Sequence, residues 1–267
     1  MSIFKKMAFF MVVVLVLVGC VSLELSPRNQ VIELLQTNGR CELPCFWGIK
    51  VGETKWEDAK LWLSKLTKIN DDESFYTDGD GGYPAYDMAF ILRDEVPPRI
   101  EAPPQSFVIV ATIGEERVQR LVFSPVGSIG DIEFLPEYIK TYSLENIFKQ
   151  LGKPDHVFIY VCEKYKRPCF IMVVLYETQK IAIDITGKDL PDNQVCPKIG
   201  EGGNLTTMNI SIANPTSDLE LIPPSMVINP YLADLKSIKD VLEINESEFY
   251  SRVLSESPAC FDIVVQE

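Results

Sequence analysis

The stretch Tyr142–Cys162, YSLENIFKQLGKPDHVFIYVC, decides the fold. Leu144, Ile147, Phe148 and Leu151 recur at i, i+3, i+4 and i+7, the spacing that lines up one face of an α-helix. Gly152 is placed to end that helix, and Pro154 prevents its continuation. The period then changes. Residues 156 to 162, 169 to 176 and 180 to 186 read as strands, and in the last of them Ile181, Ile183 and Ile185 alternate with Ala182, Asp184 and Thr186. That alternation is expected of an antiparallel sheet with one face in water. A helix followed by a three-stranded antiparallel meander is an α+β arrangement.

A similar order stands earlier in the chain. NQVIELLQTNG puts Val31, Leu34 and Leu35 on one helical face and stops at Asn38 and Gly39. In GETKWEDAKLWLSKL, Thr54 and Glu57 have the spacing of a capping box, and Trp56, Ala59, Leu63 and Leu66 form an apolar stripe. YDMAFILR, SFVIVATI and RVQRLVF read as strands, the last two joined by the turn GEE. The sequence thus predicts two tandem helix-plus-antiparallel-meander units, with helices on one sheet face: residues 29–135 and 136–267. In the second unit TMNISIA reads as one further strand. The four prolines of NPTSDLELIPPSMVINPY argue against a long helix there. Two short helices close the chain as a cover, one marked by Leu235, Ile238, Val241 and Leu242, the other started by Asn245 and Glu248, with Phe249, Val253 and Leu254 on its inner face.

The N-terminus has a different texture. Lys5 and Lys6 precede an apolar run from Met7 to Gly19, about 20 Å long as a helix against a hydrocarbon layer of about 30 Å. A charged start, an apolar middle and a small-residue end read as a secretory signal, residues 1–19. Leu17, Val18, Gly19 and Cys20 resemble the lipobox of bacterial lipoproteins. That resemblance implies cleavage before Cys20, diacylglycerol on its thiol, a third acyl chain on its amine, and residues 20–28 as a tether. Several acyl chains anchor stably where one does not. The expected location is the cell envelope, on the extracytoplasmic side of a membrane, and the membrane itself is a partner through Cys20.

The charge agrees with that placement. The chain carries 25 Lys and Arg against 38 Asp and Glu, a formal charge of −13, and loss of residues 1–19 removes two lysines and no acid, giving −15. Such a surface does not bind nucleic acid, because phosphate recognition depends on neutralisation by Lys and Arg.

Six cysteines follow Cys20, an even number that in an exported chain points to disulfides. Cys162 and Cys169 end and begin two strands joined by a short turn, facing each other across a hairpin at bridging distance. Cys41 and Cys45, in CELPC, close a small loop, which leaves Cys196 for Cys260; these two pairs stand or fall together. Three residues between Cys41 and Cys45 depart from the two of redox and zinc motifs, and a single histidine argues against mixed Cys/His metal sites.

Few residues suggest chemistry. His156 stands alone, with no second histidine to share a metal, and reads as structural or solvent-facing. Gly-rich phosphate loops, serine elbows and metalloprotease helices have no counterpart. In TDGDGGYPAYD, Asp78, Asp80 and Asp87 offer calcium oxygens, but Tyr83 and Ala89 occupy the positions where an EF-hand has glycine and its last acid. The same residues are what a turn requires. Phe46 and Trp47 are a binding hot spot if exposed and core packing if buried. PPRIEAPP, residues 97–104, reads as an extended loop open to a partner. No cofactor is implied.

VGETKWEDA is similar to the helix start, and LENIFKQLGKPDHVFIY to the helix-to-strand passage, of SmpA/BamE-like outer-membrane-assembly lipoproteins. The β-lactamase-inhibitor proteins share that fold in two tandem copies. The resemblance implies helices laid on an antiparallel sheet and a role in binding proteins. CELPCFWGI also resembles a recurrent opening in uncharacterised bacterial lipoproteins. The sequence-level expectation is a non-catalytic, lipid-anchored module that binds an envelope protein or an external ligand. The alternative is a secreted hydrolase using a carboxylate pair, which requires two acids converging in a pocket.

Overall fold

The computed structural model describes residues 26–67, 85–91, 106–126, 139–162, 169–188, 193–197, 205–217, 235–255 and 259–264. Helix α1 (Pro27–Thr37) is capped by the Ser26 hydroxyl, which accepts from the Asn29 N–H, and ends at Asn38 in the left-handed region. Strands β1 (Cys45–Phe46) and β2 (Ile49–Lys50) form a small ribbon before α2 (Trp56–Leu63). The stripe Trp56, Ala59, Leu63 and Leu66 is buried as its spacing requires. The expected capping box does not form. Lys55 is the N-cap, and the Thr54 hydroxyl instead accepts the Lys50 N–H at 2.9 Å, closing the turn after β2.

The first meander is β3 (Ala85–Ile91), β4 (Ser106–Gly114) and β5 (Arg117–Val126). Its second turn places Glu115 and Glu116 both at positive φ, the backbone that matches the twist of a two-residue hairpin. After α3 (Leu144–Leu151), with Ser143 as its cap and Gly152 past its end, come β6 (His156–Cys162), β7 (Cys169–Tyr176) and β8 (Ile181–Lys188). A short ribbon strand β9 (Gln194–Val195) and then β10 (Leu205–Ala213) follow. The chain closes with β11 (Lys236–Ser237), α4 (Ile238–Leu242), α5 (Glu246–Ser255) and β12 (Phe261–Asp262). Asn245 caps α5 by accepting from the N–H groups of Ser247 and Glu248, each at 3.0 Å.

The two meanders are not separate sheets. Strand β10 pairs antiparallel with β8 on one side and β5 on the other, giving one eight-stranded sheet in the order β11-β6-β7-β8-β10-β5-β4-β3. The pairing aligns Met88, Ile109, Phe123, Ile210, Ile183, Val174 and Val157 in a single row across seven strands. Every member of that row is buried, on the face that carries the helices. Because β5 and β8 both run antiparallel to β10, they run parallel to each other. Each meander starts at an outer strand and steps inward to β10 from its own side, with its helices on the same face. The two therefore have opposite hands with respect to the helix layer.

The C-terminal cover packs where the sequence suggests. Phe249 of α5 meets Phe148 of α3 at 5.9 Å and Phe261 at 5.0 Å, while β11 adds a two-residue edge to β6. Cys196 and Cys260, whose Cα atoms are 4.3 Å apart, staple the β9–β12 ribbon. The separation of 64 residues closes a long loop in the unfolded chain; in the chain-entropy model such a bridge is worth about 4 kcal/mol.

Phe123 touches Phe46 at 5.4 Å and Tyr142 at 5.6 Å, and its strand partner is β10. Phe123→Ala is expected to lower unfolding free energy by about 3–5 kcal/mol in urea titrations followed by circular dichroism.

Candidate functional site

The face of the sheet that turns away from the helices holds the polar residues of interest. Strand alternation and register put Arg120 on β5, Ser211 on β10 and Asp184 on β8 together on that face, with Thr112 of β4 opposite Arg120. Ser211 lies directly across from Val122 and Ala182, so it is the diagonal neighbour of both Arg120 and Asp184. All four are buried: Arg120 is 5% exposed, Thr112 2%, and Asp184 and Ser211 are fully enclosed. The Ser211 hydroxyl makes no hydrogen bond. Alternation alone suggested a wet face along β8; that expectation is corrected, since Ala182 and Asp184 are as buried as the isoleucines beside them. The central strands are therefore shielded on both faces, and burying a carboxylate, a guanidinium and a hydroxyl there is costly unless they are matched by polar groups.

Toward the β6 edge the same face opens. Phe158 and Tyr160 of β6 and Leu175 of β7 are half-buried, and Ile171 is 8% exposed. Tyr160 is the direct cross-strand partner of Ile171, and Leu175 that of His156. The His156 ring lies 5.9 Å from the Phe158 ring, and its Nε2 is 3.5 Å from Glu177 Oε1. Both partners of that contact are well exposed, so it contributes little to stability. Cys162 and Cys169 face each other at the end of this hairpin with Cα atoms 4.8 Å apart.

The third cysteine pair, Cys41 and Cys45, has Cα atoms 5.7 Å apart and belongs to a buried polar hub. The Asn38 carboxamide donates to the carbonyls of Cys41 at 2.9 Å and Cys45 at 2.8 Å. Its oxygen accepts the Trp47 backbone N–H at 3.1 Å and the Tyr142 hydroxyl at 3.2 Å. Trp47 Nε1 in turn donates to the Tyr142 oxygen at 3.0 Å. Phe46 and Trp47 are 2% and 1% exposed, so in the folded chain neither ring is presented to a partner. They are core between α1 and the sheet. Trp47 itself sits at φ 53°, and a Cβ added at Gly39 would meet its backbone at 3.2 Å. Glycine is what allows that approach.

Other sequence candidates fall elsewhere. Cys20, Asp78 and Asp80, the segment 1–19 and the loop 97–104 lie outside the described residues, and Asp87 is placed only as a backbone position in β3. Asp184 is the one buried carboxylate among the described residues. Sequence reasoning missed Arg120, Ser211 and Asp184 as a group, because their grouping depends on β10 lying between β5 and β8.

Compared with known proteins, the chain matches no protein-family model, no curated protein and no solved structure.

Burial pushes the Tyr142 hydroxyl well above its ordinary pKa, against a smaller lowering by Trp47; burial does the same to Tyr176, helped by Tyr250 and Asp155. A raised folded-state pKa means the native chain holds these protons more tightly. Stability is fully present below the unfolded tyrosine value of about 10 and declines as pH rises beyond it. Alkaline titration read at 295 nm should show tyrosines that ionise only as circular dichroism is lost. Asn38→Ala removes the hub and is expected to lower stability by about 2–4 kcal/mol in urea titrations, since it strands buried donors.

Proposed function

We propose that this chain is a lipid-anchored, extracytoplasmic binding module that holds an envelope protein or external ligand on the open part of the sheet face opposite its described helices. The observation that carries the binding half is the cluster Phe158, Tyr160 and Leu175, partly exposed together on one face of an antiparallel sheet. Aromatic side chains with an apolar body and a polar tip are what interface centres favour. The sheet fixes their spacing, so little ordering is needed when a partner docks.

Cysteine use supports the anchor. Of seven cysteines, six stand in three disulfide-compatible pairs, and the seventh is Cys20 in the lipobox-like LVGC. An exported protein with a cysteine left over calls for a purpose for it, and acylation is one. The merged sheet bears on the tandem-unit reading. The repeated order of one helix and three strands supports two related units, while their opposite hands weigh against a rigid repeat. The binding surface is accordingly one sheet instead of two modules.

Two experiments separate these claims. Mass spectrometry of protein made in a bacterial host should find a mature chain that starts at Cys20 and carries acyl chains, with Cys20→Ala uncleaved and unlipidated; an intact Met1 overturns the anchor. A photo-crosslinker at residue 160 should capture a specific partner from native membranes. Phe158→Ser with Leu175→Ser should weaken that capture by about thirtyfold while leaving circular dichroism unchanged. Failure to capture any partner, with turnover in a substrate panel, favours the hydrolase alternative.

A further inference from the structure

We propose that Asn245 is an N-glycan acceptor, modified in the folded chain by an oligosaccharyltransferase that grips Glu243 and Ser247 on either side of it. The inference rests on the export half of the preceding reading and on neither the lipid nor the sheet face. Asn-x-Ser/Thr occurs four times, at Asn204, Asn209, Asn214 and Asn245, and the triplet is an acceptor where x is not proline. Pro215 disqualifies Asn214, and Asn204 lies outside the described residues. Asn209 is half-buried within β10, an interior strand of the sheet, with Ile210 1% exposed and Ser211 fully enclosed. The folded chain does not present that triplet.

Asn245 differs in both access and posture. Glu243, Asn245 and Ser247 are all exposed where the turn after α4 enters α5. Glu243 takes the left-handed backbone that ends α4, and Ile244, 8% exposed, roots the turn in the core. The Asn245 carboxamide is held in one orientation: its Oδ1 accepts the N–H groups of Ser247 and Glu248, each at 3.0 Å, which leaves Nδ2 on the side away from those donors. Neither Nδ2 nor the Ser247 hydroxyl makes a hydrogen bond among the described residues, so both are available to an enzyme. Two residues before the acceptor, the Glu243 carboxylate offers a basic group on the transferase a charge-assisted hydrogen bond. Phe249, one turn further on, packs against Phe148 in the helix layer. A glycan at Asn245 therefore leaves the opposite sheet face, with Phe158 and Tyr160, open to a partner.

The transfer consumes one co-substrate, an oligosaccharide carried on a lipid diphosphate. Nδ2 forms a bond to C1 of the first sugar, the C1–O bond to the diphosphate breaks with its electron pair on the phosphate oxygen, and Nδ2 gives one of its two protons to a base of the transferase. The lipid diphosphate departs. The product is a secondary amide that keeps its carbonyl, so Oδ1 still accepts from Ser247 and Glu248 and the cap of α5 survives modification.

The test incubates the purified, folded full chain with a bacterial oligosaccharyltransferase and a lipid-diphosphate-linked oligosaccharide, and maps the glycan by peptide mass and fragmentation. The expected result is a glycan on Asn245 and none on Asn209, with circular dichroism unchanged. Ser247→Ala should abolish transfer where Ser247→Thr retains it, and Glu243→Gln should slow it at least about tenfold, the loss of one hydrogen bond to a charged group. A bare Asn245 in the folded chain, under conditions that modify the unfolded chain there, overturns the proposal; so does transfer that persists in Ser247→Ala or is unaffected by Glu243→Gln. Protein from native membranes should carry the same modification. Molecules acylated at Cys20 but bare at Asn245 overturn this proposal and leave the export reading standing, whereas an intact Met1 with a bare Asn245 overturns both.

Discussion

The pairing of β10 with both β5 and β8 is the constraint on which the rest of the structure depends. Without it the chain would be two three-stranded meanders, each with an open inner edge and a short apolar strip. With it, Ile210 completes a row of apolar side chains from Met88 to Val157, and the helices of both halves share one continuous floor. The same strand creates the polar line on the other face, because Ser211 is the residue that puts Arg120 and Asp184 within one strand of a common neighbour.

A second constraint ties the N-terminal helix to that floor. Asn38, at the left-handed end of α1, gathers Cys41, Cys45, Trp47 and Tyr142 around one carboxamide. Tyr142 opens the segment leading into α3, so the hub couples the first helix to the second half of the chain by a contact spanning 104 residues. Trp62 of α2 adds to it by donating from its indole to the Trp47 carbonyl at 3.2 Å. The elements that the sequence presents as two consecutive units are thus interleaved on both sides of the molecule, by a strand in the sheet and by a hydrogen-bonded hub in the helix layer.

The local elements were legible because each is dictated by residues near in sequence. The spacing of Leu144, Ile147 and Phe148, the stop at Gly152 and the alternation of Ile181, Ile183 and Ile185 act within a few residues, and the structure follows them. The three cysteine pairs were legible for a related reason: one spans a hairpin, one a short loop, and the third remains by elimination. What alternation does not reveal is which strand lies beside which, and so neither the merged sheet nor the burial of Asp184 could be read from β8 alone. Thr54 shows the limit at small scale: the helix begins one residue later than the Thr54–Glu57 spacing implies, with Lys55 as its N-cap, and the Thr54 hydroxyl accepts the Lys50 N–H. Phe46 and Trp47 carried two readings because exposure is a tertiary property, settled only when Tyr142 and Phe123 are placed against them.

The claim that one strand merges the two halves is tested most directly by hydrogen exchange of the full chain in increasing urea, read by mass spectrometry on peptides from β4 and β7. The account predicts that both lose protection at the same denaturant concentration, and that Ile210→Ala shifts the two together. Separate midpoints for the two peptides, or a shift confined to one of them, would mean that the halves fold as independent units and that β10 does not join them.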